Sequence, residues 1–104
     1  MGVRYQSIAS GDAVAASANT DIMTDTTIAN DGLLHIAFET LAAEDVRISL
    51  DGGSNFTTLV DTGADIWNAN IIIPVAVGDI IQLQTVGAET ISYRILLESS
   101  TERD

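Results

Sequence analysis

The sequence predicts an all-β fold: an antiparallel β-sandwich of about eight strands, with the jelly roll as the expected type. Three observations lead to this fold class. Short runs rich in Val, Ile and Thr recur about every 8–12 residues, polar segments with Gly, Asn or Asp separate them, and no stretch shows convincing helical periodicity. The length of 104 residues suits one domain, so residues 1–104 are expected to form a single sandwich.

The N-terminal part of the chain predicts two strands and one ambiguous segment. Residues 3–9 fit a first short strand, which the Ser10-Gly11-Asp12 segment should end. Residues 12–19 are rich in alanine, which favours helix, but some of their apolar side chains also alternate as in a strand. Threonine-rich residues 21–28 predict the next strand, and an Asn-Asp-Gly turn follows it.

The middle of the chain gives the clearest strand patterns. Residues 33–41 predict a central strand whose alternate side chains share one face: Leu34, Ile36, Phe38 and Thr40. Residues 46–50 alternate apolar and polar side chains without error. Residues 51–55 then predict a hairpin loop, and residues 56–60 predict the strand that returns antiparallel to the one before.

The last third of the chain predicts three further antiparallel strands. Two apolar, β-branched runs flank the turn Val77-Gly78-Asp79, and an alternating run follows a second turn that contains Gly87. The single proline, Pro74, falls within a strand pattern. Since proline cannot donate to a strand ladder, it predicts an edge strand or a bulge at that position.

The composition is strongly acidic, and it contains no lysine and no cysteine. Fifteen Asp and Glu residues against four arginines give a net charge of -11, so we expect no binding to nucleic acid or to anionic membranes. Such a composition resembles that of proteins from halophilic organisms, although an ordinary acidic protein remains an alternative. Like charge, as in the acidic loop 61–65, predicts that stability depends on high ionic strength or divalent cations.

No catalytic constellation can be assembled from the sequence, so we expect a protein that is not an enzyme. The one histidine, His35, lies in an apolar strand, where a structural or surface-facing role is the simpler interpretation. Glu39 would share its face, but two such groups form neither a metal site nor a catalytic triad. The chain also lacks a Gly-x-Ser-x-Gly elbow and a phosphate-binding glycine loop.

Two features are candidate binding sites. Asp51 and Asn55 of the loop 51–55 are possible calcium ligands, although a plain hairpin loop is the simpler explanation, and no other cofactor is expected. Trp67 is either a core or interface anchor or a platform on which a sugar stacks. Leu33 and Leu96 fall on strand faces opposite their better-placed apolar neighbours, so we take them, with Trp67, as interface candidates.

Residues 46–56 and 73–83 resemble small all-β structural proteins of tailed-virus particles. In that group a hairpin with an Asp-Gly-Gly loop precedes a Pro-Val-x-x-Gly-Asp turn and a strong terminal strand, a likeness that here extends over residues 33–98. The resemblance implies a capsid decoration, cement or turret-type protein, made in the host cytoplasm and located in the virion. It implies the major capsid protein or other virion proteins as partners.

The small size of the predicted core has its own consequence. Apolar residues on both sheet faces need cover, so we expect a homo-oligomer, a trimer or a higher ring. The alternative to a virion protein is a carbohydrate-binding or adhesin module that would contact glycan through Trp67 and the loop 51–55, with calcium as a possible cofactor.

Overall fold

The computed structural model describes residues 3–59 and 63–100, which form eight strands and no helix. The end of the predicted strand 56–60 and the start of the acidic loop 61–65 lie outside the described residues. The strands are β1 (Val3–Ala16), β2 (Thr26–Thr27), β3 (Gly32–Thr40), β4 (Val46–Ser49), β5 (Thr57–Leu59), β6 (Asn68–Val75), β7 (Ile80–Thr85) and β8 (Glu89–Ser100). They make two antiparallel sheets: the first has the order β1-β8-β3-β6 and the second the order β2-β7-β4-β5.

The two sheets pack face to face, so the predicted antiparallel β-sandwich is confirmed. Side chains from both sheets share one buried core, which includes Leu34, Phe38 and Ile95 from the first sheet and Val46, Ile81 and Leu83 from the second. Pairing joins β1 to β8, β2 to β7, β3 to β6 and β4 to β5, as if one long hairpin had been rolled up. This pairing supports the predicted jelly-roll type, in which eight strands form two Greek keys.

Strands β3 and β8 lie at the centre of the first sheet and have the strictest alternation. The face predicted for residues 33–41 is confirmed, since Leu34, Ile36, Phe38 and Thr40 are all buried. The register sets inward side chains opposite each other, with Phe38 facing Tyr93 and Ile36 facing Ile95. The intervening side chains therefore point away from the core, on the outer side of the sheet.

Strand β1 runs well beyond residue 9, so the break predicted at Ser10-Gly11-Asp12 is wrong. The strand instead contains two β-bulges. They appear as register shifts in its pairing with β8, between Ser7 and Ala9 and between Gly11 and Val14. Gly11 suits this bend, because a Cβ there would lie 2.6 Å from Cε1 of Tyr93. The alanine-rich residues that follow remain paired with β8, so tertiary pairing overrides the helix propensity of alanine.

The predicted strand at 21–28 is reduced to the two residues of β2. The segment before β2 follows the edge of β7 irregularly, where the backbone N–H of Ile22 donates to the carbonyl of Leu83 at 2.9 Å. Side chains of β7 bind the same segment: Gln82 Nε2 donates to the carbonyl of Met23 at 2.9 Å, and Gln84 Nε2 donates to Asp21 Oδ1 at 2.6 Å. These side-chain bonds hold an irregular edge where the sequence predicted a regular strand.

Pro74 lies in β6, at one edge of the first sheet, so the edge-strand prediction is confirmed. A register shift between Ile36 and Phe38 also places an irregularity at the start of β6. The turn predicted after β6 is present as well. Gly78 adopts a φ of 96°, and Asp79 Oδ2 accepts the backbone N–H of Ala76 at 2.9 Å.

Candidate functional site

The outer face of the first sheet, which points away from the second sheet, brings together two of the three predicted interface residues, Leu33 and Leu96. The register places its outward side chains in rows that cross the strands. One row consists of Tyr5, Glu98, Leu33 and Pro74, and the next consists of Ser7, Leu96, His35 and Ile72. Leu33 and Leu96, which come from different strands, thus lie in adjacent rows of one surface.

Five apolar side chains of these two rows form what we call the apolar patch: Tyr5, Leu33, Ile72, Pro74 and Leu96. Tyr5 is 63% exposed and Ile72 is 51% exposed, while Leu33 and Leu96 are 37% and 39% exposed. A sheet face that meets water normally carries polar side chains, and large contiguous apolar patches usually mark interaction sites. The apolar patch is therefore the best candidate for an interaction surface.

His35 lies within the apolar patch and binds Glu98 rather than Glu39. Its Nε2 is 2.7 Å from Oε1 of Glu98, and both side chains are half-buried. The ring of Tyr5 meets the imidazole edge-on, with ring centroids 6.1 Å apart. Glu39 lies further along the sheet, opposite Ser92. The arrangement supports a structural, surface-facing role for His35, in which each polar group is bonded to the other amid apolar neighbours.

Trp67 borders a groove at the other end of the outer face. Its indole is 38% exposed, so Trp67 is a surface residue and the core interpretation is wrong. The guanidinium of Arg94 lies 4.7 Å from the centroid of the ring, in a cation–π contact. The groove has a volume of about 400 Å³, and its polar lining includes Ser10, Asp12 and Ser92. An exposed ring beside a polar groove suits both an interface residue and a sugar-stacking platform.

A smaller cavity of about 200 Å³ shares Asp12 and Ser92 with the groove and is also lined by Glu39 and Asp65. The hydroxyl of Ser92 donates to Asp12 Oδ1 at 3.2 Å and accepts the backbone N–H of Ala13 at 2.9 Å. The sequence did not single out Asp12 and Ser92, because they lie in separate segments and only the register of β1 and β8 brings them together. Glu39, which the sequence placed on the face of His35, lies opposite Ser92.

The loop proposed as a calcium site is closed by its own hydrogen bonds. Oδ1 of Asp51 accepts the backbone N–H groups of Ser54 and Asn55 at 3.0 and 2.9 Å. It also accepts the hydroxyl of Ser49 at 2.8 Å, and Oδ2 accepts the amide Nδ2 of Asn55 at 2.7 Å. Four donors therefore occupy the carboxylate that calcium would need, and Asn55 turns a donor toward it. This geometry favours the plain hairpin loop.

Trp67 and the loop 51–55 are not brought together. Asp51 forms a bridge with Ile80, where β7 begins, whereas Trp67 precedes β6. Since a short turn joins the end of β6 to the start of β7, Trp67 and the loop are separated by the eight residues of β6, roughly 25 Å of strand. The structure therefore does not support a single glycan site built from both.

The outer face of the second sheet is covered by its own side chains. Arg47 lies 4.0 Å from the centroid of the Phe56 ring, and its Nε donates to Gln84 Oε1 at 2.9 Å. Among the described residues, the exposed large apolar side chains come from the first sheet or from the loops and turns, and none comes from a strand of the second sheet. The two faces of the sandwich therefore differ in character.

These features define a class of protein: a small acidic β-sandwich that carries an apolar patch on the outer face of one sheet. Over residues 3–59 and 63–100, no three His, Cys, Asp or Glu side chains are grouped so that they could hold a metal ion. Within the same ranges, no helix is long and apolar enough to cross a membrane. Comparison with models of known protein families and with curated proteins finds no match.

The hydrogen bonds of the loop 51–55 predict an acid-sensitive contribution to stability. Bonds from the Asn55 side chain and backbone and from the Ser49 hydroxyl lower the pKa of Asp51 from 3.8 to about 2. Because the folded-state pKa is depressed, the carboxylate stabilises the fold above the unfolded pKa, and this stabilisation is lost as the pH falls from about 4 to about 2. Asp51→Asn should flatten the pH dependence of the melting temperature in that window.

The matched control is Asp31→Asn. Oδ1 of Asp31 accepts one backbone N–H, that of Val77 at 2.8 Å, whereas the carboxylate of Asp51 accepts four donors. Thermal melts of both variants and the wild type from pH 2 to neutral pH provide the measurement. Parallel curves for Asp51→Asn and the wild type would show that the loop does not contribute in this way.

Proposed function

We propose that the chain is a non-enzymatic structural protein of a virus particle, in which the outer face of the first sheet docks on the capsid lattice. It would act as a decoration, cement or turret-type component. The observation that carries the proposal is the apolar patch, an exposed surface contributed by all four strands of one sheet. Lattice binding requires such a broad surface, whereas catalysis requires convergent polar groups in a cleft.

The placement of the polar groups supports a protein without catalytic activity. His35, the single histidine of the sequence, is bonded to Glu98 amid apolar side chains. The carboxylates of Asp12 and Glu39 line a separate cavity nearer the other end of the sheet. The histidine and these carboxylates therefore do not form an acid–base pair.

The same proposal covers partners and location. The major capsid protein or other virion proteins are the partners, further copies of the chain complete a homo-oligomer, and the protein resides in the virion after synthesis in the host cytoplasm. The net charge of -11 disfavours the nucleic acid within the particle and anionic membranes as partners.

The test starts from purified particles. Mass spectrometry of virions from the source organism should detect the chain at a fixed ratio to the major capsid protein. Recombinant chain should bind particles that lack it, and Leu96→Lys should weaken binding about tenfold or more, since 1.4 kcal/mol corresponds to a factor of ten. Val86→Lys is the matched control, because Val86 is 40% exposed in the turn between β7 and β8. Absence of the chain from virions would overturn the proposal.

A second candidate function, glycan binding, is favoured by the groove beside Trp67. Arg94 covers one face of the indole, and hydroxyl and carboxylate groups of Ser10, Asp12 and Ser92 lie along the same groove. Aromatic rings with adjacent hydrogen-bonding groups are a common platform for sugars. A glycan array separates the two functions: binding that Trp67→Ala abolishes and Leu96→Lys preserves, together with absence from virions, would favour this candidate.

Salt is expected to raise the melting temperature of the protein. At 0.01 M salt the Debye length of about 30 Å exceeds two of the domain's three extents of 47 × 27 × 19 Å, so its charges repel across most of the molecule. At 1 M the Debye length falls to about 3 Å. Each 1 kcal/mol of repulsion relieved should raise the melting temperature by about 4–8 °C in a domain of this size.

Thermal melts across a sodium chloride series measure this effect. Calcium and magnesium chloride should act alike at equal ionic strength, because the carboxylate of Asp51 is already bonded within its own loop. A melting temperature that stays constant from low to molar salt would contradict the prediction. It would also remove the main argument for a halophilic source.

A further inference from the structure

The four sheet edges of the sandwich differ in their protection against strand addition. β2 and β5 have only two and three residues, and two bulges interrupt β1. Short edge strands and bulges are common protective devices. β6 is an edge of eight residues whose irregularity lies at its start and whose proline lies near its end, so that the three consecutive isoleucines 71–73 between them stay regular. Among the described strands, β6 pairs only with β3. β6 is therefore the edge that is best suited to accept another strand.

We propose that β6 pairs antiparallel with β6 of a second copy of this chain, about a two-fold axis close to Ile72. The pairing would extend the first sheet from four strands in one copy to eight strands across two. The inference concerns self-association and does not depend on a role in the virus particle.

The distribution of charge indicates a second copy as the occupant. Residues 66–78, which include all of β6, form the longest stretch of the chain without a charged side chain. Two copies that each carry a net charge of -11 repel one another over most of their surfaces. The uncharged edge is where two such copies can approach most closely. A basic partner, by contrast, would be drawn to the acidic surfaces elsewhere.

The backbone of β6 indicates where the axis lies. A proline is tolerated in an edge strand where its nitrogen points away from the neighbouring strand. Since backbone direction repeats every second residue, Ile72 then directs both its N–H and its C=O to the free edge. Pro74 also faces the free edge but can offer only its carbonyl, since proline has no N–H. Within the regular part of β6, residues 71–75, Ile72 is therefore the one residue that offers both an N–H and a C=O to the free edge. Two Ile72 residues placed opposite each other would exchange two hydrogen bonds.

Self-pairing would also join the two apolar patches. Ile72 is 51% exposed on the outer face and faces His35 across the β3–β6 pair, next to the row of Leu33. A two-fold axis beside Ile72 places the patch of one copy next to the patch of the other on the same side of the extended sheet. One continuous apolar surface across both copies would result.

Disulfide trapping tests the contact directly, because the chain has no native cysteine. Residues of a hydrogen-bonded antiparallel pair have a Cα separation of about 5.5 Å, which a disulfide can span. Under mild oxidation, Ile72→Cys should give a covalent dimer on a non-reducing gel, whereas Val86→Cys should stay mostly monomeric. Equal cross-linking of the two variants would overturn the proposal.

Sedimentation in molar sodium chloride gives an independent measurement. The wild type and Val86→Lys should sediment as a dimer or as a multiple of dimers, and Ile72→Lys should shift to the monomer while it keeps a cooperative thermal melt. Amides of residues 68–75 should gain protection from hydrogen exchange as the wild-type concentration rises. A wild type that is monomeric at every concentration, or a trimer that Ile72→Lys does not dissociate, would show that β6 does not pair in this way. Particle binding is measured separately, so the two proposals can fail independently.

Discussion

Replacing Phe38 with alanine is expected to lower the free energy of unfolding by about 3–5 kcal/mol. Phe38 is fully buried in the core at the centre of the first sheet, where it faces Tyr93 on β8. Removing the ring forfeits the burial of its apolar surface and leaves a cavity that the strands on both sides cannot readily close. Against a typical total stability of about 5–15 kcal/mol, such a loss removes about a fifth of the stability or more.

The second phenylalanine provides the matched control. Phe56 is half-buried on the outer side of the second sheet and packs against Arg47. Phe56→Ala should cost much less, since the stacked cation contributes only about 0.5–1 kcal/mol at an exposed site. Urea titrations of the wild type and both variants give the comparison, and similar midpoints for the two variants would contradict the assigned core.

Gly32→Ala should destabilise the fold by about 3 kcal/mol, which is the upper end of the usual cost of overpacking. An added Cβ would lie 2.1 Å from the carbonyl oxygen of Glu98 and 3.3 Å from Cδ1 of Leu97. The nearer atom belongs to the backbone of β8, so relief requires β3 and β8 to separate at the start of their pairing. Elsewhere in a strand, replacing glycine with alanine usually stabilises, so the sign of the effect is informative.

Gly63→Ala serves as the control for this prediction. A Cβ at Gly63 would lie 3.1 Å from Cδ1 of Ile66, the end of a flexible side chain that is 53% exposed. That side chain can move aside, so Gly63→Ala should change the melting temperature little. If Gly32→Ala melted at the wild-type temperature, the close approach of β3 and β8 at this point would be wrong.

The parts of the fold that could be predicted from the sequence are those where local pattern and tertiary environment agree. In β3 and β4 the apolar side chains at alternate positions are buried in the core, so the faces of both strands were predicted correctly and their bounds to within one residue. The hairpin loop at 51–55 followed from its Asp-Gly-Gly sequence, and Gly52 and Gly53 do adopt positive φ angles of 76° and 103°. Pro74 predicted that β6 is an edge strand, because a proline has no N–H to donate to a second neighbouring strand in any sheet.

Where the prediction failed, contacts distant in sequence decided the structure. The Ser10-Gly11-Asp12 segment was predicted to end the first strand. Instead, β1 stays paired with β8 across this segment, with a β-bulge next to Gly11. Contacts distant in sequence also formed the apolar patch. Alternation within single strands placed Leu33 and Leu96 on outer faces, but only the register of four strands showed that they share one surface with Tyr5 and Ile72.

The position of β8 bears on how the chain acquires its structure. β8 is the last of the eight strands in the sequence, and in the first sheet it lies between β1 and β3. During synthesis, therefore, β1 and β3 lack their common neighbour until residues 89–100 have been made. The pairing of β8 with β1 joins Val3 to Ser100, so the closing step brings together the first residue of the first strand and the last residue of the last strand. Folding should thus be a late, all-or-none event on the slow timescale of non-local β topologies, milliseconds to seconds.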